Sequence, residues 1–364
     1  MVVRYFIPSL RGVRCAIGVA LLIFLIGSCQ EQPENSDPVE DDFLVVSTLA
    51  GSDNPGLVDG IGPVAKFNNP SGMVLDPSGN LYVSDHSNHC IRKITPRGIV
   101  STFAGTGQAG FENGYRTNAT FNHPYGLAMD SKGNLYVGDV ANHGIRKISA
   151  DGMVSTLAGG RKGFSDREGD LAMFNHPYGV AVDSKNNVYV ADSYNNRIRK
   201  ITPDGSVSTL AGNGYDGFVD GKSSEAEFFV PIGIVADKHG NIYVGDEGNS
   251  SIRKISATGK VTTLAGNGKF SFCDGIGKNA EFNAPGAISI DGQGNLYVAD
   301  YLNNCIRRVS PAGEVRKIAG NLEKGFADGA PQQALFYYPF GIAVDPTGIV
   351  YVGDHFNHRI RKIN

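Results

Sequence analysis

The chain has 364 residues, a formal net charge of −3 and no tryptophan, and glycine is frequent at 48 residues. Ordinary apolar content at this length allows a large buried core. Removing an N-terminal leader of residues 1–28 takes away three arginines and no acids, which leaves a net charge of −6. A protein that binds a phosphate backbone needs a clustered positive surface, so the composition argues against a nucleic-acid partner.

Residues 1–28 are predicted to be a lipoprotein signal peptide. Three arginines flank or precede an apolar run of 12 residues, Cys15 to Ile26, which is too short for a comfortable membrane span. The segment then reads Ile26-Gly27-Ser28-Cys29, which resembles a bacterial lipobox with Cys29 as the lipid-modified residue. An ordinary secretion signal that is cut elsewhere is the alternative.

Residues 29–42 are predicted to be a disordered tether. From Gln30 to Asp42 the chain carries six acids, two prolines and no basic residue, and such a stretch cannot bury apolar area. An acidic run directly after the lipid-bearing cysteine also resembles the surface-export signal of Bacteroidetes lipoproteins. We therefore expect a protein anchored by lipid in the bacterial cell envelope, at the outer membrane and either periplasmic or surface-exposed.

The rest of the chain is built from six repeats. The string Y-V-x-D recurs with its aspartates 53 or 54 residues apart, and each aspartate is followed three residues later by Asn and seven later by Arg. A fixed period of this length indicates a repeat architecture. The six aspartates are Asp85, Asp139, Asp192, Asp246, Asp300 and Asp354.

One unit, Asn122 to Gly159, reads as four short strands. Beta-branched runs alternate with turns rich in Gly, Asp and Asn, which is the pattern of strands joined by hairpins. Six such antiparallel units predict an all-β fold, a six-bladed β-propeller with four strands in each blade. Val45 to Gly51 matches the fourth strand that the last repeat lacks. We expect this N-terminal strand, residues 45–51, to complete blade six and close the ring.

The repeated string F-N-H-P-Y-G-L-A-M-D-S-K-G-N-L-Y-V-G-D-V-A-N-H-G-I-R-K-I resembles an NHL repeat, and the resemblance covers residues 43–364. It implies a six-bladed propeller. For function it implies proteins that scaffold partners or bind RNA or, in distant propeller relatives, act as lyases and lactonases. The six-fold Asp and Arg frame is best interpreted as architecture, with each Asp accepting loop hydrogen bonds and pairing with an Arg.

Seven histidines fall in loops on one face of the predicted propeller, which we call the loop face. Imidazoles suit zinc, and the distant lyase relatives use histidines on this face for it. The alternative, which we favour, is that histidines in NHL loops make structural hydrogen bonds. We predict no cofactor, with zinc or calcium as the weaker alternative. The seven are His86, His89, His123, His143, His176, His355 and His358.

A second set of loop-face residues departs from the repeat. The position between an interblade Pro and a Gly opens each innermost strand, so its side chain should line the mouth of the central channel. Aromatic rings beside polar donors suit stacking on a sugar or gripping a peptide, whereas interblade packing is the plainer interpretation. The candidate binding residues are Tyr125, Tyr178 and Phe340, with His123, His176 and Tyr338 two residues earlier in their loops.

Two classes of function remain open at this stage. The favoured one is a binding or scaffold module of the cell envelope that recognises a glycan, peptide or protein partner through the loop face. The alternative is a metal-assisted lyase or lactonase that uses the histidines or the channel mouth. Histidines that converge on one point would favour the enzyme, and an open aromatic rim would favour the binding module.

Overall fold

The computed structural model describes residues 44–364, and the predicted signal peptide, lipidated cysteine and acidic tether lie outside them. The described chain forms six antiparallel sheets of four main strands, which are the blades of a six-bladed β-propeller. No helix between residues 44 and 364 is long and apolar enough to cross a membrane.

In blades 1 to 5 the main strands run in chain order from the central channel outward. Their bounds are: in blade 1, Pro70–Leu75, Leu81–Asp85, Cys90–Ile94 and Ile99–Ala104; in blade 2, Pro124–Met129, Leu135–Asp139, Gly144–Ile148 and Met153–Gly159; in blade 3, Pro177–Val182, Val188–Asp192, Arg197–Ile201 and Val207–Ala211; in blade 4, Pro231–Ala236, Ile242–Asp246, Ser251–Ile255 and Lys260–Ala265; in blade 5, Pro285–Ile290, Leu296–Asp300, Cys305–Val309 and Glu314–Ala319; in blade 6, Pro339–Val344, Val350–Asp354 and Arg359–Ile363, with Val46–Gly51 as the fourth strand.

Short elements decorate the connections. A two-residue strand borders the outer strand of four blades: Gly60–Ile61, Gly114–Tyr115, Gly221–Lys222 and Gly275–Ile276. One-turn 3-10 helices follow each second strand, at His86–Asn88, Val140–Asn142, Ser193–Asn195, Glu247–Asn249, Tyr301–Asn303 and His355–Asn357. Four more lie in interblade loops, at Gly62–Val64, Arg116–Asn118, Gly169–Leu171 and Gly277–Asn279.

The N-terminal strand closes the ring, as the sequence predicts. Val46–Gly51 pairs antiparallel with the last strand of the chain, with Val46 opposite Ile363. Val45 and Asn364 exchange two backbone hydrogen bonds of 2.7 and 3.1 Å. Closure removes the unpaired edge that blade six would otherwise expose.

The hydrophobic core is divided into interblade layers. Each of six clusters combines residues of two neighbouring blades, and a seventh lies at the channel. The first Phe of each interblade F-x-x-P segment is fully buried in these layers, which explains why it recurs. These residues are Phe67, Phe121, Phe174, Phe228, Phe282 and Phe336.

A buried Asp–Asn–Arg frame fixes each turn after the second strand. In blade 1, Asp85 accepts hydrogen bonds from the backbone N–H of Asn68 at 2.7 Å, the Asn88 amide at 2.9 Å and the Arg92 guanidinium at 2.7 Å. The same three bonds recur in every blade. The predicted structural role of the Asp and Arg residues is thereby confirmed.

Candidate functional site at the mouth of the channel

The loop face is the side of the propeller on which each second strand ends. Directly after each frame aspartate, one residue stands at the channel, and we call these six residues the mouth ring. Their identities differ from blade to blade although the backbone frame beneath them repeats. In chain order the mouth ring consists of His86, Val140, Ser193, Glu247, Tyr301 and His355.

Three members of the mouth ring donate to the neighbouring blade. Nδ1 of His86 lies 3.2 Å from the carbonyl oxygen of Pro124, and Nδ1 of His355 lies 3.2 Å from that of Pro70. The Ser193 hydroxyl donates in the same way to the carbonyl of Pro231. Since a carbonyl only accepts, each imidazole carries its proton on Nδ1, and its Nε2 is an acceptor.

Burial keeps these two imidazoles neutral. It lowers the pKa of His86 to about 3, with repulsion from His355 and His123 adding to the effect. It also lowers the pKa of His355 to about 4. At neutral pH the mouth ring therefore offers imidazole acceptors and no imidazolium charge.

Other predicted histidines serve the loops. Nδ1 of His89 accepts the backbone N–H of His123 at 3.1 Å, and Nδ1 of His143 accepts that of His176 at 3.2 Å. His358 does the same for blade 1. Asn196 and Asn304 use a side-chain oxygen at the equivalent position, which identifies the bond as part of the repeat.

The predicted binding histidines, His123 and His176, lie at the edge of the site. Each has Nδ1 at 2.9 Å from the side-chain oxygen of the preceding asparagine, and each packs edge-on against the histidine that caps its backbone. Within residues 44–364, no three His, Cys, Asp or Glu side chains are placed to hold a metal ion.

The central aromatic residues pack against each other at the channel. Tyr125 and Phe340 are only 7% and 6% exposed, and their ring centroids are 4.7 Å apart. They belong to blades 2 and 6, and they meet because blade 1, between them, has the small Ser71 at the equivalent position. These two rings therefore pack against each other, and their role as binding residues stays a prediction.

From this plug, aromatic rings continue outward in both directions. Towards blade 3 they reach Tyr194, which is 46% exposed, and towards blade 6 they reach Phe356, which is 42% exposed. Neighbouring ring centroids are 4.7 to 6.4 Å apart along the whole series. This aromatic band consists of Phe356, Tyr338, Tyr301, Phe340, Tyr125, Tyr178 and Tyr194.

Sequence reasoning missed three members of the band and one acid. Tyr194, Tyr301 and Phe356 lie in the turns after the frame aspartates rather than in the Pro-x-Gly segments. Glu247 is the acidic member of the mouth ring, and burial raises the pKa of its carboxyl to about 7. Aligning the position after each Y-V-x-D aspartate would have found Tyr301 and Glu247, because only this position changes between aromatic, acidic and imidazole side chains.

A concavity lies between blades 1 and 2 on the opposite, hairpin-turn face. Its walls include Tyr82, Lys93 and Phe103. The cations there already have aromatic partners: Lys93 lies over Tyr82, and Arg116 lies over Phe103 and Tyr115. We therefore place the candidate site at the channel mouth, where the side chains differ from blade to blade.

Fold and site together define a β-propeller with a repeated buried frame and a non-repeated aromatic loop face. The NHL repeat family matches the chain at residues 67–94, 121–148, 174–201 and 336–363, and these are blades 1, 2, 3 and 6. The protein belongs to the NHL-repeat family, and blades 4 and 5 share the same frame.

Three similar proteins illustrate the range of the family and the fold. SUPPRESSOR OF QUENCHING 1 from Arabidopsis thaliana is 32% identical over 319 residues, which are 81% of this chain and 30% of that protein. The chain spans 30% to 41% of the length of the curated relatives first matched. An auxiliary nutrient binding protein from Bacteroides thetaiotaomicron superposes with a TM-score of 0.69 at 18% identity, covering 88% of this chain and 76% of that one. Virginiamycin B lyase from Staphylococcus aureus gives 0.54 at 17% identity, with coverage of 88% and 98%. The two structural likenesses show the fold alone.

Proposed function

We propose that the protein is a binding module that recognises a glycan or an extended peptide, or a protein segment presenting one, through its loop face. The observation that carries the proposal is the aromatic band. It crosses the face from blade 6 to blade 3, with an exposed ring at each end and a buried plug between them. Rings of this kind stack on sugar faces and on peptide side chains at little entropic cost.

The rigid frame supports this role. Every turn that presents a ring is fixed by buried hydrogen bonds to a frame aspartate, so the band is pre-organised before a ligand arrives. The fold likeness to a protein named as nutrient-binding agrees with a binding role. The proposal rests on the side chains of the loop face, because a shared fold does not establish a shared function.

The experiment is a glycan and peptide array probed with the purified protein, followed by calorimetry on every hit. Tyr194→Ala and Phe356→Ala remove exposed rings and should each weaken binding about tenfold, since stacking contributes about 1 kcal/mol or more. Tyr215→Ala is the matched control, because Tyr215 is 74% exposed in an outer loop away from the band. If neither band variant weakens any hit, the proposal is wrong.

We further propose that Cys29 carries a lipid anchor and that the loop face points away from the membrane. The closing strand begins on the hairpin-turn face, because Val46 pairs with Ile363, the residue that ends its strand on that side. A tether that precedes Leu44 would therefore attach opposite the aromatic band. Metabolic labelling with a fatty acid tests the anchor, with Cys29→Ala expected to lose the label. Equal labelling of the variant would contradict the proposal.

A further inference from the structure

Glu247 is the acidic member of the mouth ring on the proposed binding face. It is partly buried in the turn after blade 4, and burial alone accounts for the change in its pKa. Among residues 44–364, no hydrogen-bond donor and no cation contacts its carboxylate. A partly desolvated acid without a partner is costly, and a ligand that supplies positive charge removes that cost.

The imidazoles of the mouth ring are acceptors as well. The Nδ1 protons of His86 and His355 are directed to proline carbonyls of the next blade. Ser193 is fully buried and also donates to such a carbonyl, so what remains for a ligand is two Nε2 lone pairs and the Glu247 carboxylate. The ring contains no lysine or arginine, and the Tyr301 hydroxyl is its other polar group. The imidazoles and the carboxylate are complementary to a group that donates.

Aromatic rings lie over the blade that follows Glu247. In this blade the Pro-x-Gly position is occupied by Gly286, so no side chain projects from it into the channel. The ring of Phe340 fills the space over Gly286, and a Cβ there would approach that ring within 3.1 Å. Tyr301, the next member of the mouth ring, packs against Phe340 with centroids 5.2 Å apart. Aromatic faces beside a carboxylate are the combination that binds ammonium groups.

From this arrangement we infer that the channel mouth binds a primary ammonium group of the ligand, with Glu247 as its counter-ion. The Nε2 atoms of His86 and His355 accept hydrogen bonds from the donors of that ligand, and the aromatic band contacts its flanking parts. The inference rests on the proposed function of the loop face and specifies one chemical group that the ligand must carry. An amino sugar and a lysine side chain both supply such a group.

The test compares probes that carry an ammonium group with matched probes that lack it. Calorimetry or NMR titration of the protein uses the glucosamine trisaccharide against its N-acetylated form, and the peptide Gly-Lys-Gly against Gly-norleucine-Gly. We expect one ammonium probe at least to bind ten times more tightly than its neutral match. The pair that shows the difference identifies the source of the ammonium group. Equal affinity within both pairs, or no binding of either ammonium probe at millimolar concentration, would overturn the inference.

The variants separate this inference from the proposed function. Glu247→Gln should abolish the tenfold preference, whereas Glu281→Gln, which removes a loop carboxylate that is already paired with Lys269 and Asn267, should retain it. Binding of the ammonium probe should also lower the pKa of Glu247, measured by carbon NMR, because a nearby cation favours the charged form. If neutral ligands bind in a manner that depends on Tyr194 and Glu247→Gln has no effect, the inference fails and the proposed function stands. If no ligand depends on the band, the proposed function fails.

Discussion

Removal of the closing strand tests the architecture most directly. Deleting residues 44–51 takes away Val46 and Ala50, both fully buried, and leaves the last strand of the chain as an open edge. Burying one valine contributes about 2 kcal/mol. Val45 and Val46 also exchange four backbone hydrogen bonds with Asn364 and Gly329, each contributing roughly 1 kcal/mol net.

These contributions add to about 6 kcal/mol, which is comparable to the whole unfolding free energy of an ordinary domain. We therefore expect the deletion to lower the Tm by about 10 °C or more in a calorimetric or circular-dichroism melt. Adding a synthetic peptide of residues 44–52 should recover part of the loss. Point variants give a finer control: Val46→Ala should cost about 2 kcal/mol, and Val45→Ala, at a 46% exposed position, less than about 0.5 kcal/mol. An unchanged melt of the deletion variant would refute the closed ring.

Three further predictions concern buried ionisable groups. Arg146→Met leaves a buried frame aspartate without its cation and should cost about 3 kcal/mol or more in a denaturant melt, whereas Arg308→Met at an exposed position should be neutral. The raised pKa of Glu247 means that its contribution to stability is complete below about pH 4.3 and is lost as the pH rises through about 7, so Glu247→Gln should increase the Tm at pH 8 and not at pH 4. The lowered pKa values of His86 and His355 have the opposite sign: their contribution is complete above about pH 6.5 and is lost as the pH falls towards 4, so replacing both by Asn should flatten the acid side of the Tm profile. If the Tm of a variant follows the same pH profile as the Tm of the wild type, the corresponding prediction for Glu247 or for the two histidines is wrong.

The periodic part of the structure could be predicted from the sequence because it is encoded locally. Each strand, hairpin and frame aspartate lies within a single repeat, and the missing fourth strand of blade 6 is visible as an unpaired copy at the N-terminus. The ring then follows from six repeats and the need to pair every edge. No contact between distant blades has to be guessed to reach this result.

The site could not be predicted to the same extent because it depends on contacts across the channel. Tyr125 and Phe340 are each visible as departures from the repeat, yet their meeting depends on Ser71 in the blade between them. Each Pro-x-Gly position considered alone does not show which rings meet. Likewise, the histidines of the turns look like metal ligands until the neighbouring backbone N–H groups that they accept are known.

The separation of frame and site explains how a nearly six-fold structure presents the single binding surface that we propose. The Asp, Asn and Arg side chains hold every turn, so the residue after the aspartate is free to change without loosening the backbone. His86, Glu247 and Tyr301 occupy the same backbone position and differ in charge and shape. Stability therefore comes from the repeated residues, and under the proposed function ligand selectivity comes from the residues that differ between blades. For an NHL propeller, the position after each frame aspartate is then the place to compare when two members bind different ligands.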